Sequence, residues 1–211
     1  MKNKRLLNIA VFCSGNGTNL QAIIDKIKSG YIKAHLRLVI SDRRDAYALT
    51  RAKKARVDNF FIDSKRVTSK IDFEREILKY LKKYNIDLIV LAGFMRVISR
   101  ELVRKYKNKI LNIHPALLPS FKGTEGIKDA IDYGVKVAGP TVHFVDEGVD
   151  TGPIILQEAV EVHDDDTEDT LAKKIHEKEH IIYPKAIKLF TEGKLKIEGR
   201  KVIIKKLKNN Q

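Results

Sequence analysis

Three residues in the middle of the chain have side chains that suit acyl transfer. Asn112 and His114 end a short apolar run directly before Pro115, which lacks a ladder N–H and favours extended geometry in the residue before it. Asp150 lies in a glycine-bounded segment between two further apolar or alternating runs. A loop at this position can bring a carboxylate close to the end of another strand. An amide, an imidazole and a carboxylate together can stabilise an oxyanion and move a proton. We therefore predict an acyl-transfer site.

A second candidate site is the glycine-rich sequence at residues 14–19, which follows the first apolar run. A strand, a glycine loop and a helix N-terminus in that order direct free N–H groups toward an anion. We therefore predict a phosphate bound by Gly17, Thr18 and Asn19. Leu20 replaces the third glycine of a dinucleotide fingerprint, and no P-loop lysine follows, so a terminal monophosphate is favoured over NAD or ATP. An ordinary tight turn is the alternative.

The elements that position these residues follow from the apolar periodicity. Strand-length runs alternate with amphipathic, helix-length stretches over residues 6–92, which is typical of a parallel sheet with right-handed crossovers. A capping box formed by Thr18 and Gln21 is predicted to start the first helix. Residues 141–145 and 153–162 predict an antiparallel pair joined by a loop.

The C-terminal part is predicted to contain a long helix from Thr167, which kinks or restarts at Pro184, and then a surface hairpin over residues 195–204. The fold class is thus α/β, with a Rossmann-like mixed sheet in a single domain. The sheet is expected to be mostly parallel with an antiparallel C-terminal hairpin, and helices are expected on both faces.

Composition narrows the class of protein. The 211 residues carry a net charge of +14 and no tryptophan, and no aromatic side chains interleave with the C-terminal lysines. A solvated basic surface is therefore favoured over a nucleic-acid platform. No apolar run approaches the roughly 18 residues of a membrane span, and no signal-peptide cleavage pattern follows the basic start. Cys13 is the single cysteine, so we expect a cytoplasmic protein without internal disulfides.

Four segments of the chain resemble the phosphoribosylglycinamide formyltransferases, a folate-dependent family. They are residues 14–21, 91–96, 112–119 and 150–153, and the similarity extends over nearly the whole chain. The resemblance implies transfer of a formyl group from 10-formyltetrahydrofolate to the amine of 5'-phosphoribosylglycinamide, a step of purine biosynthesis that uses no metal. It implies small-molecule substrates, with no nucleic acid and no membrane as partners; it leaves the oligomeric state open.

The resemblance also assigns roles to residues. Catalysis falls on Asn112, His114 and Asp150, and the substrate phosphate falls on Gly17, Thr18 and Asn19. The substrate-binding glutamate falls on Glu179, and His176 lies one helical turn away as a further candidate. The folate contacts implied are Lys70, with Arg66 as the alternative, and Met95, Arg96, Val97, Ile98, Asn112, Asp146, Glu147, Gly148, Val149 and Asp150.

Physical roles for the three catalytic candidates follow from the charge that develops during transfer. The Asn112 amide and a protonated His114 suit the oxygen of the tetrahedral centre. Asp150 favours the protonated imidazole and helps to pass a proton from the amine to the departing folate nitrogen. His143, which alternates inside a strand, is expected to be a hydrogen-bonded structural residue outside the site. Many relatives have a histidine near the position of Ile127, and this chain has none, so a contact from that loop stays open.

Within the single domain of residues 1–211, we expect a phosphate-binding part over residues 1–100, a catalytic and folate-binding part over residues 101–190, and a surface hairpin or tail over residues 191–211. Two alternatives compete with the transferase. One is formyltetrahydrofolate hydrolase, which uses the same catalytic residues and normally carries an additional regulatory domain. The other is a non-catalytic nucleic-acid-binding module, motivated by the basic charge.

Overall fold

In the computed structural model, strands and helices alternate from residue 7 to residue 133, after which four strands, one long helix and two further strands follow. The structure describes residues 5–63 and 70–205, with only the backbone at residues 70 and 71. The strands are β1 (Leu7–Phe12), β2 (Ala34–Ser41), β3 (Asp58–Phe61), β4 (Leu88–Leu91), β5 (Ile110–His114), β6 (Val137–Ala138), β7 (Thr141–Phe144), β8 (Ile154–Gln157), β9 (Val160–Glu161), β10 (Leu195–Glu198) and β11 (Lys201–Ile204). The helices are α1 (Thr18–Lys28), α2 (Tyr47–Lys54), α3 (Lys70–Lys83), α4 (Arg100–Lys105), α5 (Gly126–Tyr133) and α6 (Glu168–Thr191).

Nine of these strands form one mixed sheet in the order β10-β11-β8-β7-β5-β4-β1-β2-β3. The strands β3, β2, β1, β4 and β5 pair in parallel. The strand β7 then pairs antiparallel with both β5 and β8. The hairpin of β10 and β11 joins the same sheet through a parallel contact with β8. The predicted mixed α/β sheet and its antiparallel C-terminal strands are therefore confirmed.

Helices cover both faces of the sheet, as predicted. One core packs side chains of α1, α2 and α6, such as Leu20, Ala48 and Ile182, against one face. The other core packs α3 and α4, through side chains such as Ile77 and Leu102, against the opposite face. The central strand β4 is buried along its whole length, which explains its continuous apolar sequence, since both of its faces meet helices.

The carboxyl ends of β1 and β4 form the switch point of the sheet. The strand β1 pairs with β2 on one side and with β4 on the other, so the connections from these strands leave in opposite directions. Ligands of open α/β sheets bind in the crevice that this divergence creates. The glycine loop after β1, the segment after β4 and the end of β5 therefore reach one edge of the sheet.

One prediction about a helix end is wrong. The helix α1 already includes Thr18, its N-cap is Gly17, and no side chain caps it, so the predicted capping box does not form. Gln21 instead donates to Asp25 and accepts from Arg51. A left-handed glycine brings the chain directly from the loop into the helix, which leaves Thr18 no capping position.

Of the kink or restart predicted at Pro184 in the long C-terminal helix, the restart does not occur. The helix α6 is a single element of 24 residues that continues through Pro184 without restarting. Pro184 and the neighbouring Tyr183 are buried in the core. Packing on the sheet therefore holds the helix together where proline removes one hydrogen bond. The predicted start at Thr167 is confirmed, because its side chain accepts from the backbone N–H of Thr170.

Four short elements were not predicted from the apolar periodicity. The helices α4 and α5 are only 6 and 8 residues long, and the two-residue strands β6 and β9 form a separate small ladder. Such lengths contain too few apolar repeats to give a pattern. The helix α5 packs with α6 and this ladder around a third apolar cluster that includes Ala130, Leu171 and Ile175.

Candidate functional site

A cleft opens at the carboxyl ends of β4 and β5 and is covered on one side by the loop between β7 and β8. The residues that line it include most of the predicted folate contacts, namely Met95, Arg96, Val97, Ile98, Asn112, Asp146, Gly148, Val149 and Asp150, and also His114 and His143. Met95 and Val97 are largely exposed apolar side chains, which is unfavourable for a surface without a ligand. The cleft therefore offers an apolar wall facing a polar group of an amide, two imidazoles and a carboxylate.

Asn112 lies between a ring and a carboxylate. Its Nδ2 is 3.2 Å from Nε2 of His143 and 3.5 Å from Oδ1 of Asp150. Because Nδ1 of His143 lies 2.8 Å from the Phe144 carbonyl, which can only accept, the neutral ring carries its proton on Nδ1. Nε2 of His143 then accepts from Asn112. The amide proton of Asn112 that faces Asp150 makes the longer contact and can be redirected to a ligand oxygen.

His114 is buried and has a partner at each ring nitrogen. Nε2 donates to the Phe121 carbonyl at 2.7 Å, and Nδ1 lies 3.5 Å from Oδ2 of Asp150. The backbone N–H of Gly123 donates to the same carboxylate oxygen at 3.0 Å. Residues 121–123 thus cover both His114 and Asp150, and a ligand oxygen can receive the Nε2 proton only after Phe121 releases it.

Asp150 is held as an anion by its surroundings. Burial raises its pKa, but the adjacent His143 ring, the N–H of Gly123 and the charge of His114 outweigh burial and hold the pKa below its usual value. The Asp150 side chain is 12% exposed, so water screens these interactions only weakly. An ionised Asp150 can therefore accept a proton and stabilise a positive ring nearby.

The loop that carries Asp150 is fixed by its backbone. Asp150 has a φ of 51°, a conformation that aspartate tolerates better than most residues. A side chain at Gly152 would meet the Phe144 carbonyl at 1.7 Å, so glycine is required there. Arg200 of the C-terminal hairpin donates to the Thr151 carbonyl at 3.0 Å. Residues 150–152 are therefore needed for the backbone conformation of the loop as well as for the carboxylate.

The predicted phosphate loop has the conformation of an anion site. Gly17 has a φ of 72°, and the N–H of Gln21 donates to its carbonyl. The backbone N–H groups of Gly17, Thr18 and Asn19 have no acceptor among residues 5–63 and 70–205. Three free donors at the positive end of α1 give a place for an oxyanion.

Glu179 and His176 lie next to this loop, on α6. The side-chain N–H of Asn19 donates to Oε2 of Glu179 at 2.7 Å, and Nδ1 of His176 lies 2.9 Å from the same oxygen. The hydrogen bond to the Glu179 carboxylate raises the pKa of His176, although burial opposes the change. Within the described chain, the buried Oδ1 of Asn19 has no partner, so this oxygen can still accept a hydrogen bond from a ligand.

Hydrogen bonds join the phosphate loop to the cleft. Ser14 donates from its backbone N–H to the Gly93 carbonyl at 2.9 Å and from its hydroxyl to Asp42 at 2.6 Å. Its hydroxyl also accepts from the N–H of Met95 at 2.9 Å. From the other side, the buried hydroxyl of Tyr183 donates to the carbonyls of β4 and β5 that precede the cleft. Glu179, one turn earlier on α6, is placed beside the same edge.

The segment after β4 is held from α3. The backbone N–H of Ser99 donates to Glu74 at 2.6 Å, and the hydroxyl of Ser99 bonds to the same carboxylate. The guanidinium of Arg96 lies 4.7 Å from the centre of the Phe73 ring. These contacts fix the backbone of residues 95–99, which forms one wall of the cleft.

One predicted folate residue, Glu147, is placed differently from those that line the cleft. Glu147 does not line the cleft; its carboxylate pairs with Arg104 at 2.7 Å and with Arg100 at 3.6 Å, and so attaches the loop to α4. The side chain of Lys70 and the whole of Arg66 lie outside the described residues. The prediction for these two basic residues stays untested.

His143 lines the cleft, although sequence reasoning placed it outside the site. It is hydrogen-bonded, as predicted, and its Nε2 lies 3.6 Å from Asp150. The antiparallel pairing of β5 and β7 places it directly opposite Asn112. Only that strand register links the two residues, and it cannot be predicted from a single sequence.

Two general properties complete the description of the chain. Over residues 5–63 and 70–205, no group of three or more His, Cys, Asp and Glu side chains is arranged to bind a metal ion. In the same part of the chain, no helix combines the length and the apolar character needed to cross a bilayer.

An open α/β sheet that presents an amide, an imidazole and a carboxylate in a cleft at the carboxyl ends of its strands, next to an anion loop, suits transfer of an acyl group to a phosphorylated acceptor. Comparison with known proteins gives the family. Residues 7–187 match the formyl transferase family. The chain therefore belongs to the formyl transferases, and within them to the phosphoribosylglycinamide formyltransferases, on the following similarities.

Two bacterial relatives share this assignment. The chain is 44% identical over 179 residues to phosphoribosylglycinamide formyltransferase from Bacillus subtilis (strain 168). That alignment covers 85% of this chain and 92% of the relative. It is 41% identical over 191 residues to the enzyme of that name from Escherichia coli (strain K12), with 90% of each chain covered. The crystal structure of glycinamide ribonucleotide transformylase 1 from Symbiobacterium toebii matches with a TM-score of 0.95 at 47% identity, over 98% of this chain and 100% of that one.

Proposed function

We propose that this protein transfers the formyl group of 10-formyltetrahydrofolate to the amine of 5'-phosphoribosylglycinamide. The observation that carries the proposal is the pair of hydrogen bonds by which Ser14 joins the phosphate loop to the cleft wall at Gly93 and Met95. A phosphate held at Gly17 and a folate held in the cleft then present their reacting groups to each other. The relatives named for this activity support the same conclusion.

The reaction proceeds by direct attack of the amine on the formyl carbon. A carbon–nitrogen bond forms, and the formyl oxygen becomes an oxyanion, which Asn112 and His114 stabilise as donors. Asn112 redirects to this oxygen the amide N–H that lies 3.5 Å from Asp150. His114 donates its Nε2 proton to the same oxygen in place of the Phe121 carbonyl. Asp150 takes part in moving the proton of the amine to the folate nitrogen as the original carbon–nitrogen bond breaks.

The two substrates bind to adjacent parts of the site. The acceptor places its phosphate on Gly17, Thr18 and Asn19 and reaches Glu179 and His176 with its middle part. The folate lies along residues 95–98, with residues 146–150 over it. Glu147 contributes through the position of the loop, since its side chain is paired with Arg104.

A transfer assay with both substrates tests the proposal. We expect formyl transfer that requires the phosphorylated amine; formyl release that is independent of the amine would instead indicate a hydrolase. Asn112→Ala, His114→Ala and Asp150→Asn are each expected to lower turnover about 100-fold or more. Asparagine is chosen at position 150 because it tolerates the φ of 51° there. Near-normal turnover in any variant would remove that residue from the mechanism.

A further inference from the structure

The phosphate loop is held from outside by a guanidinium on α2. Nε of Arg51 donates to the backbone carbonyl of Asn16 at 2.8 Å, and Nη2 donates to the side-chain oxygen of Asn16 at 3.2 Å. Nη1 donates to the side-chain oxygen of Gln21 at 3.3 Å. One side chain therefore connects the residue before Gly17 to the first turn of α1.

The backbone of the loop also depends on α2. The Gly15 carbonyl accepts from the N–H of Ala48 at 3.2 Å. A side chain at Gly17 would approach Cβ of Ala48 to 2.7 Å, so loop and helix are in direct contact. The direction of the free N–H groups at residues 17–19 is consequently set by α2 as well as by α1.

Arg51 has the properties of a fixed cation beside an anion site. Its guanidinium lies 4.9 Å from the centre of the Tyr47 ring, a contact that restricts a planar cation. Within residues 5–63 and 70–205, no other lysine or arginine side chain hydrogen-bonds to residues 14–19. Arginine keeps its charge at all physiological pH values and offers several donors in a rigid plane. The loop thus has one positively charged support.

We propose that Arg51 is a positioning residue for the phosphate of the acceptor. It keeps residues 15–17 in the conformation in which the N–H groups converge, and its charge adds to the attraction of the phosphate. This inference rests on the proposed function, because it takes the acceptor to be phosphorylated. Arg51 acts at the phosphate end, away from Asn112 and Asp150, so it governs acceptor binding and leaves the chemical step unchanged.

The test compares Arg51→Met, Arg51→Lys and a matched control, Lys53→Met, which removes an exposed cation from the same helix without a contact to the loop. Steady-state kinetics are measured with phosphoribosylglycinamide and with ribosylglycinamide, which lacks the phosphate. Arg51→Met is expected to raise KM for the phosphorylated acceptor about tenfold or more, since charge-assisted hydrogen bonds are lost. Its kcat, its KM for the folate and its kcat/KM for ribosylglycinamide should match those of the control. Arg51→Lys should restore part of the loss.

An unchanged KM for the phosphorylated acceptor, or an equal loss with both acceptors, would overturn the inference. Circular dichroism checks folding; if Arg51→Met does not fold, Arg51→Gln and Arg51→Lys decide the same question. If the wild-type protein transfers formyl to neither acceptor, the proposed function fails first. Calorimetric titration with inorganic phosphate then tests the role of Arg51 separately. Equal affinity for phosphate in Arg51→Met and Lys53→Met would refute that role.

Discussion

His143 is placed to support the proposed reaction through its neighbour Asn112. Nε2 of His143 fixes one amide proton of Asn112 and so orients the other toward the cleft. We expect His143→Ala to lower kcat about tenfold to 100-fold, because a misdirected oxyanion donor loses most of its effect. The folate KM should change little. Steady-state kinetics give both values.

The control for this variant is His35→Gln, since His35 is exposed on β2, far along the chain from the cleft residues. His143→Asn is informative as well, because an amide can keep a hydrogen bond with Asn112. Unaltered kcat in His143→Ala would mean that Asn112 is oriented without it.

His176 and Glu179 give the stability of the protein a pH dependence of known sign. The hydrogen bond to Glu179 raises the pKa of His176 above its usual value in the folded chain. The pair therefore stabilises the fold fully below the unfolded pKa of about 6.5. This contribution is lost as the pH rises through the raised pKa of the folded state.

We therefore expect His176→Gln to lower the free energy of unfolding at pH 5.5 more than at pH 9. Urea unfolding at the two pH values measures the difference, with His35→Gln as the matched control. A loss of stability that is the same at both values would show that protonation of His176 does not strengthen the contact.

At the scale of elements, Tyr183 fastens α6 to the sheet at the cleft. Its buried hydroxyl donates to the carbonyls of Leu91 and Leu111, at 2.8 and 3.0 Å. Tyr183→Phe removes this donor and is expected to cost about 1–3 kcal/mol of unfolding free energy. Denaturant unfolding measures the cost.

Tyr133→Phe is the control, because Tyr133 is 80% exposed and loses only a solvated hydroxyl. We expect Tyr183→Phe to raise the KM of the acceptor in addition, since Glu179 lies one turn earlier on the same helix. Stability equal to that of Tyr133→Phe would show that α6 is held by apolar packing alone.

The elements themselves were largely predictable from sequence, because their residues are buried in regular repeats. The strand around Val90 and the stripe of Ile77 on α3 show this, since each side chain meets the core that its period predicts. Asn112 and His114 were predictable for the same reason: they end a recognisable strand.

The supporting contacts were not predictable. His143 reaches Asn112 through the register of an antiparallel pair, and Arg51 reaches Asn16 across 35 positions of sequence. Both contacts depend on how elements pack, and no local pattern records that. The capping box failed for a related reason, because the left-handed Gly17 and its contact with Ala48 decide where α1 begins.

The charge of the whole molecule gives a prediction of a different kind. The excess of 41 Lys and Arg residues over 27 Asp and Glu residues is spread along the chain, and many of these charges are paired at the surface, as in Arg5 with Asp87. We expect only weak binding to nucleic acid, lost by about 0.2 M salt, because such attraction comes from counterion release. Fluorescence anisotropy with a labelled single-stranded oligonucleotide measures it.

Formyl transfer should persist at the salt concentration that abolishes this binding. Tight, saturable binding at that concentration would indicate a nucleic-acid site that the transferase proposal does not contain.

The contact of His114 with the Phe121 carbonyl also bears on what happens when folate arrives first. While Nε2 donates to that carbonyl at 2.7 Å, the imidazole has no proton to offer a formyl oxygen, and water near the carbon gains no help from it. Under the proposed function, this proton becomes available to the formyl oxygen only when the Phe121 carbonyl releases it. We therefore expect hydrolysis of bound formyl folate to be slow in the absence of the amine substrate.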